Sequence, residues 1–342
     1  MDLATYIRDL PKISLHVHLE GSVQTKTFLD LAHKHNIILP LEVSSRDFYE
    51  YQNLDEFLQI YKLVSDVIRD PSDFHQVTYE TLEEASKHNV RYREMFWSPM
   101  SHLDAGLRYD ESVDGIISGI HDAYVDFGIQ CKLIPAINRE RSPEAGVELV
   151  ELILQNPREE VIGIGLDYTE VGNPPEKFIN AYRLAKQNGL RRTAHACGGP
   201  LPAKNVKTCL DLLDCERIDH GYNVITDPEI TRYCAEKGVV FTCCPISNAM
   251  TFHLGNINKV PIRQMVTSGL HIMIDCDDPP LLNTNPSQDY VVLVENFQFK
   301  ISDCVNFIMN GIDGSWLDDE TKQQWKKSWM DDINKLGSEV SF

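Results

Sequence analysis

Four side chains at the ends of three apolar runs offer the clearest chemistry in this sequence. His16 and His18 lie two residues apart in the first run, His195 closes a second run, and Asp277 closes a third. Residues two apart on a strand point to the same face, so His16 and His18 would aim both imidazoles at one point. Three neutral imidazoles and one carboxylate suit Zn²⁺ or another first-row divalent ion. The pattern therefore predicts one metal site.

A further histidine, His220, ends the apolar run Arg217-Ile-Asp-His220 and is predicted to work beside the metal. The pair His-x-His is a weak signal by itself in a chain with 12 histidines. It gains weight because His195 and Asp277 also end predicted strands. The remaining histidines lack such a context and are expected to be surface or structural residues: His33, His35, His75, His88, His102, His121, His253 and His271.

Short runs rich in β-branched residues alternate with longer amphipathic stretches along the chain. We predict strands at Ile13–His18, Tyr92–Trp97, Cys131–Ala136, Val161–Asp167, Arg192–His195, Arg217–His220, Val239–Cys244 and His271–Asp277. All candidate ligands fall at the carboxyl ends of their strands, where a TIM barrel builds its active site. The pattern favours an α/β fold of the (β/α)8 TIM-barrel type. A doubly wound open sheet is the alternative, although no Gly-x-Gly-x-x-Gly loop follows the first strand.

Residues 1–342 are predicted to form a single domain, because no linker, repeat or low-complexity run interrupts them. The segment 22–89, between the first two strands, is long and is predicted to be a helical insertion. Its residues Leu54, Phe57, Leu58 and Tyr61 have the spacing of one helix face. That face either packs in the core or forms a lid over the barrel mouth, and both interpretations stay open. The tail 313–342 is helical in pattern and carries tryptophans that could pack on the barrel.

Composition limits the classes of partner. The chain is 42% apolar and 24% charged, which is ordinary for a globular protein, and its net charge is −19. That charge argues against binding to nucleic acid or to an anionic membrane, and no apolar stretch reaches the ~18–20 residues of a membrane span. The N-terminus lacks the features of a secretory signal, and nine cysteines without paired spacing indicate reduced thiols. We expect a cytoplasmic protein whose partner is a small molecule.

Successive motifs of this chain resemble those of the adenosine/adenine deaminase family, within the metal-dependent amidohydrolase superfamily. They are His16-Val-His-Leu-Glu-Gly-Ser22, Gly165-Leu-Asp-Tyr-Thr-Glu170, Thr193-Ala-His-Ala196, Ile218-Asp-His-Gly221 and Asp277-Asp-Pro279, and their order and spacing agree over nearly the whole chain. The stretches Gly163–Asp167, Val171–Pro175 and Cys244–Asn248 look more like the adenine deaminase branch than the adenosine-specific one.

The resemblance implies a hydrolase of C–N bonds with one Zn²⁺ per chain, held by His16, His18, His195 and Asp277. A water activated by the metal would attack the amino-bearing carbon of a purine-like heterocycle and expel ammonia. His220 would act beside that water as a base or electrostatic partner.

The same resemblance assigns substrate contacts. Asp278 would accept a hydrogen bond from a ring nitrogen and orient the heterocycle. Glu20 stands where base-specific relatives tend to carry Glu, which favours a free base over a nucleoside. Tyr168 would narrow the pocket or stack on the ring, although a plain core tyrosine is an equal interpretation.

One position departs from the family pattern. Gly198 stands three residues after His195, where the family carries the glutamate that protonates the substrate ring. A positioned acid contributes about 10²–10⁴-fold to the rate, so we expect adenine to be a poor substrate. Three accounts stay open. Another group such as Glu20 or Glu170 supplies the proton; or the substrate differs, being already activated so that no ring nitrogen needs a proton, or losing another substituent; or the protein binds a purine-like ligand without turnover. The changed substrate is the favoured account.

Overall fold

The computed structural model describes residues 1–40, 49, 54–252 and 254–338. Its centre is an eight-stranded parallel sheet in which each strand pairs with the next one along the chain. The strands are β1 (Lys12–His18), β2 (Val90–Trp97), β3 (Gln130–Asn138), β4 (Gly163–Asp167), β5 (Arg191–Ala196), β6 (Arg217–His220), β7 (Val240–Cys243) and β8 (His271–Ile274). The chain after β8 returns to β1, because Asp277 accepts the N–H of His18 at 3.1 Å and donates to His16 O at 3.1 Å. The predicted (β/α)8 barrel is confirmed, and the open doubly wound sheet is excluded.

The eighth strand is shorter than the pattern predicts. It ends at Ile274 rather than at Asp277. The carboxylate of Asp275 explains the early end, because it accepts the N–H groups of Leu15 at 2.6 Å and His16 at 2.8 Å. The Asp275 side chain thus accepts the hydrogen bonds that a backbone carbonyl of β8 would otherwise accept from β1. Backbone pairing with β1 resumes at Asp277. The other seven strands begin and end within two residues of their predicted bounds.

Helices follow the strands and cover the outside of the barrel. Those of the described residues are α1 (Leu3–Asp9), α2 (Thr25–Lys34), α3 (Leu54–Val67), α4 (Pro71–Lys87), α5 (Pro99–Asp104), α6 (Tyr109–Phe127), α7 (Pro143–Gln155), α8 (Ile179–Gln187), α9 (Lys204–Asp211), α10 (Pro228–Lys237), α11 (Pro245–Thr251), α12 (Ile262–Thr267), α13 (Gln288–Glu295), α14 (Ile301–Gly314) and α15 (Asp319–Ser338). Gly128 and Gly238 end α6 and α10 with φ of 72° and 68°, as the glycine pattern predicts. None of these helices is both long enough and apolar enough to cross a membrane.

Helix α3 confirms the helical spacing in the long segment between β1 and β2. Its residues Phe57, Leu58 and Tyr61 line a cavity at the carboxyl end of the barrel. The side chain of Leu54 lies outside the described part of the chain. The apolar face of α3 therefore contributes both to the core and to the cavity wall. A lid function for segment 22–89 stays a prediction.

The other end of the barrel is closed by a buried ion pair and the C-terminal tail. Arg217 and Glu94 are both fully buried and form a hydrogen-bonded pair. The Arg217 guanidinium lies 4.2 Å from the ring centroid of Trp316, and the backbone N–H of Trp316 donates to Glu94 at 2.6 Å. Because side chains fill this end of the barrel, a functional site is expected at the carboxyl ends of the strands.

Candidate metal centre

The four predicted ligands meet at the carboxyl end of the barrel. His195 Nε2 lies 3.1 Å from His16 Nε2 and 3.2 Å from His18 Nε2. Asp277 Oδ1 lies 3.4 Å from His16 Nε2 and 3.3 Å from His18 Nε2. Ligand atoms bonded tetrahedrally to Zn²⁺ at about 2.0–2.1 Å stand roughly 3.3–3.4 Å apart. The donor set and its spacing therefore fit one small divalent cation.

Side chains from β6 and β7 contact the back of two of these rings. His16 Nδ1 lies 2.8 Å from Thr242 Oγ1, and His195 Nδ1 lies 3.4 Å from Asp219 Oδ2. Asp219 in turn accepts hydrogen bonds from the hydroxyls of Thr193 at 2.9 Å and Thr242 at 3.0 Å. Contacts of this kind fix the ring orientation and leave Nε2 free to bind a metal. Asp219 and Thr242 were missed in the sequence, although Asp219 immediately precedes His220.

Replacement of Asp219 by asparagine is expected to weaken zinc binding by about 10–100-fold, because the His195 ring loses its charged partner. A chromogenic chelator competing for the metal measures this affinity. The control is Asp122→Asn, which makes the same change on an exposed side chain of α6. Equal zinc affinities in the two variants would contradict a metal-tuning role for Asp219.

The ionisable groups of the candidate metal centre also favour binding of a cation. Burial lowers the pKa of His195 to about 4, so this imidazole is neutral. Burial opposes protonation of His18 as well, but the carboxylates of Asp278 and Asp277 outweigh it and raise the pKa of His18 to about 10. Despite burial, the carboxylate of Asp277 also raises the pKa of His16, so protons on His16 and His18 offset the charge of the buried carboxylates. A divalent ion would displace those protons and take over their role.

His220 stands beside the four candidate ligands. Its Nε2 lies 3.8 Å from Asp277 Oδ2, and its ring centroid lies 4.5 Å from that of His16. Burial is the main reason why the pKa of His220 lies well below its ordinary value, and the neighbouring His16 lowers it further. A neutral imidazole in this place can accept a proton from a water at the metal. The backbone of His220 is left-handed, with φ of 65°, which turns the side chain at the strand end.

Asp278 lies on the floor of the same cavity. Among the described residues, its Oδ1 has no hydrogen-bond partner, so it can accept one from a ligand. The carboxylate rests directly on Gly21, where an added Cβ would come 1.6 Å from Asp278 Oδ1. The glycine in the first motif is thus required by the approach of Asp278.

The cavity has a polar floor and a largely apolar outer wall. The floor contains His18, His195, His220, Asp277 and Asp278. The outer wall comes mainly from apolar and aromatic side chains: Phe57, Leu58, Tyr61, Tyr168, Leu201 and Phe252. A few polar groups beneath an apolar wall are typical of sites for small organic molecules.

The three predicted specificity residues have different positions. Tyr168 and Gly198 lie on the cavity wall. Glu20 is fully buried behind it, where its carboxylate accepts hydrogen bonds from Ser98 N–H at 3.0 Å and from Tyr61 OH at 3.1 Å. Glu20 therefore meets the wall through Tyr61, and a direct substrate contact by Glu20 stays a prediction. Its other partner is His102 Nε2 at 2.9 Å, which gives that histidine the structural role that we expected.

Glu170 and Arg139 hold the loop that follows β5. Glu170 accepts the N–H of Cys197 at 2.8 Å and an amide N–H of Asn205 at 2.9 Å. Arg139 Nη2 donates to His195 O at 2.9 Å. Both oxygens of Glu170 are occupied by these donors. These contacts give Glu170 a positioning role for the loop, and proton delivery by Glu170 stays a prediction.

Comparison with known proteins agrees with this geometry. The family model described as "Adenosine deaminase" matches residues 11–332. An adenine deaminase from Schizosaccharomyces pombe is 31% identical over 351 positions, covering 99% of this chain and 95% of the relative. An amidohydrolase structure from Burkholderia ambifaria, which contains bound zinc, superposes with a TM-score of 0.93 at 37% identity, covering 99% of this chain and 95% of that one. An adenine deaminase structure from Arthrobacter aurescens superposes with a TM-score of 0.90 at 30% identity, covering 96% and 99%.

The family match spans most of the chain, and the relatives are covered over nearly their full length. The resemblance stated from the motifs is thus confirmed. The chain belongs to the adenosine deaminase family and is a hydrolase that acts on C–N bonds.

Proposed function

We propose that this protein is a zinc-dependent deaminase of a purine-like free base. The observation that carries the proposal is the cluster of His16, His18, His195 and Asp277 beneath an apolar pocket. The distances that join the two histidines of β1 to His195 and Asp277 are 3.1–3.4 Å. The zinc-containing and adenine-deaminating relatives support the metal and the reaction class.

The chemistry follows from the groups on the pocket floor. When bound, Zn²⁺ lowers the pKa of a coordinated water toward about 7 and so makes a nucleophile available at neutral pH. His220, a neutral imidazole on the pocket floor, would accept a proton from a water held there. Asp278 Oδ1 accepts a hydrogen bond from a ring nitrogen and turns the amino-bearing carbon toward the floor. The reaction converts that carbon to a carbonyl and releases its amino group as ammonia.

The wall of the pocket favours a base over a nucleotide. Phosphate recognition needs cationic groups, and Arg139 is the sole lysine or arginine among the described residues that line the cavity. Arg139 already donates to His195 O and lies 3.8 Å from Glu170. A phosphate would therefore meet mainly apolar and acidic side chains.

Gly198 limits the reaction with adenine itself. The glycine brings no acid to the wall beside His220, and both oxygens of Glu170 are held by other donors. Without a proton for the ring nitrogen, attack on neutral adenine leaves negative charge on the ring. We therefore infer that adenine is a poor substrate of this enzyme.

Zinc analysis and an ammonia-release screen test the proposal together. Purified protein should contain about one zinc per chain and should release ammonia from at least one aminopurine in a panel that also includes pterins and aminopyrimidines. Removal of the metal by a chelator should abolish the release, and added Zn²⁺ should restore it. Zinc-loaded protein that releases no ammonia from any member of the panel would contradict the proposed function.

A further inference from the structure

The wall beside His220 has room for a substituent on the substrate. A Cβ added at Gly198 would meet the His220 ring at 3.5 Å, which is ordinary van der Waals contact. Gly198 is not among the glycines with positive φ, so its backbone conformation does not require glycine. Neither a steric clash nor the backbone conformation therefore explains why residue 198 has no side chain. The gap at Gly198 is therefore open to a ligand.

Apolar side chains lie next to this gap, beside the following residue. A Cβ at the next residue, Gly199, would come 2.3 Å from the edge of the Phe252 ring, so Gly199 is required for that ring to lie where it does. Phe252 and Leu201 both line the cavity on this side. The amide of Asn248 donates to Gly198 O at 2.6 Å and helps to fix the loop. The gap thus suits a small alkyl group better than a polar one.

The charge of the cavity favours a cationic ring. Four carboxylates line it, from Asp167, Glu170, Asp277 and Asp278, against the one guanidinium of Arg139 among the described lining residues. Aromatic faces in the outer wall also attract cations held close to them.

We propose that the substrate is a 6-aminopurine-like base with a small alkyl group on the ring nitrogen next to the amino-bearing carbon. This inference rests on the proposed function and names its substrate class. In such a base the alkyl group occupies the gap at Gly198, and the protonated amidine carries a positive charge. The ring nitrogen then needs no proton from the protein, because the electrons displaced by attack neutralise a charge that is already there.

The reaction balances with water alone. The water oxygen bonds to the amino-bearing carbon, and the electron pair of the ring C–N double bond moves onto the alkylated nitrogen. The bond to the amino group then breaks, and the amine leaves with the protons given up by water. The cation and one water yield the neutral alkylated lactam and ammonium.

Three bases test this substrate class in the zinc-loaded protein: 1-methyladenine, adenine and N6-methyladenine. We expect kcat/KM for 1-methyladenine to exceed that for adenine by at least about 100-fold, the lower range for a positioned acid. Release of ammonia and the ultraviolet spectrum of the lactam measure turnover, and methylamine release measures the N6-substituted base. Adenine turnover as fast as that of 1-methyladenine, or a preference for N6-methyladenine, would overturn the inference.

Two variants locate the preference at Gly198. Gly198→Ala should lower kcat/KM for 1-methyladenine at least 10-fold relative to that for adenine, because the added methyl group fills the gap. Gly198→Glu should lower it further and raise adenine turnover at least 10-fold by supplying an acid. Zinc content and Tm establish that each variant is folded, and an unchanged substrate ratio in both folded variants would overturn the role of Gly198.

The outcomes separate this inference from the proposed function. If the protein deaminates another aminopurine but ignores 1-methyladenine, the substrate class is wrong and the deaminase assignment stands. If no amino-heterocycle is turned over, the deaminase assignment falls as well.

Discussion

The Asp277→Asn variant is expected to lose its bound zinc and to retain no more than about one part in 10³ of the wild-type kcat/KM. Asp277 is the single anionic group among the four candidate ligands, and its Oδ1 faces both His16 and His18. Metal stabilisation of developing charge contributes several kcal/mol to catalysis, and about 4 kcal/mol corresponds to a 10³-fold change in rate. Metal analysis by plasma emission and steady-state kinetics measure the two effects.

Asparagine is the suitable replacement because the backbone at Asp277 is left-handed. Its φ is 62°, a conformation that asparagine adopts more readily than most other residues. The substitution thus removes the charge and leaves the chain path intact, whereas alanine would add backbone strain. Asp122→Asn serves as the control, because its side chain is exposed on α6. Zinc and activity both at wild-type levels in Asp277→Asn would show that Asp277 is not a ligand.

The metal cluster could be predicted because each candidate ligand ends an apolar run. His16, His195 and Asp277 are far apart in the chain, but a barrel of parallel strands brings all strand ends to one rim. The period-two pattern of β1 then orients His16 and His18 together. The residue types and the strand ends can be recognised in local sequence, and the alternation of strands and helices predicts the barrel. The fold and the metal cluster could therefore be predicted together.

The contacts behind the cluster could not be predicted in this way. The support of His16 by Thr242 and the closure of the barrel by Asp275 join residues from opposite ends of the chain. Threonine and aspartate are common in strands, and their types alone do not reveal such partners. The burial of Glu20 behind Tyr61 likewise depends on where α3 packs, and a helical apolar face does not determine that position.

Gly21→Ala is expected to reduce kcat/KM by about 10²–10³-fold while the protein keeps its zinc. The added Cβ would come 1.6 Å from Asp278 Oδ1 and 2.4 Å from its Cγ, so the carboxylate must leave its place. Loss of a preorganised hydrogen-bonding group in an active site costs about this much in rate. Kinetics with the best substrate from the ammonia screen, together with zinc analysis, measure the effect. Gly337→Ala is a matched control, since among the described residues a Cβ there would contact Tyr6 OH at an ordinary 3.6 Å.

A double-mutant cycle shows whether Gly21 acts through Asp278. If the Gly21→Ala variant fails because it displaces this carboxylate, adding it to Asp278→Asn should lower the rate by little more than Asp278→Asn does alone. Residues in direct contact show such non-additive behaviour, whereas independent sites give additive free energies. Fully additive losses would mean that the alanine disturbs β1 and its histidines instead, and a fall in zinc content of Gly21→Ala would point to the same cause. Retained zinc with a non-additive loss would place the effect at the group that orients the heterocycle.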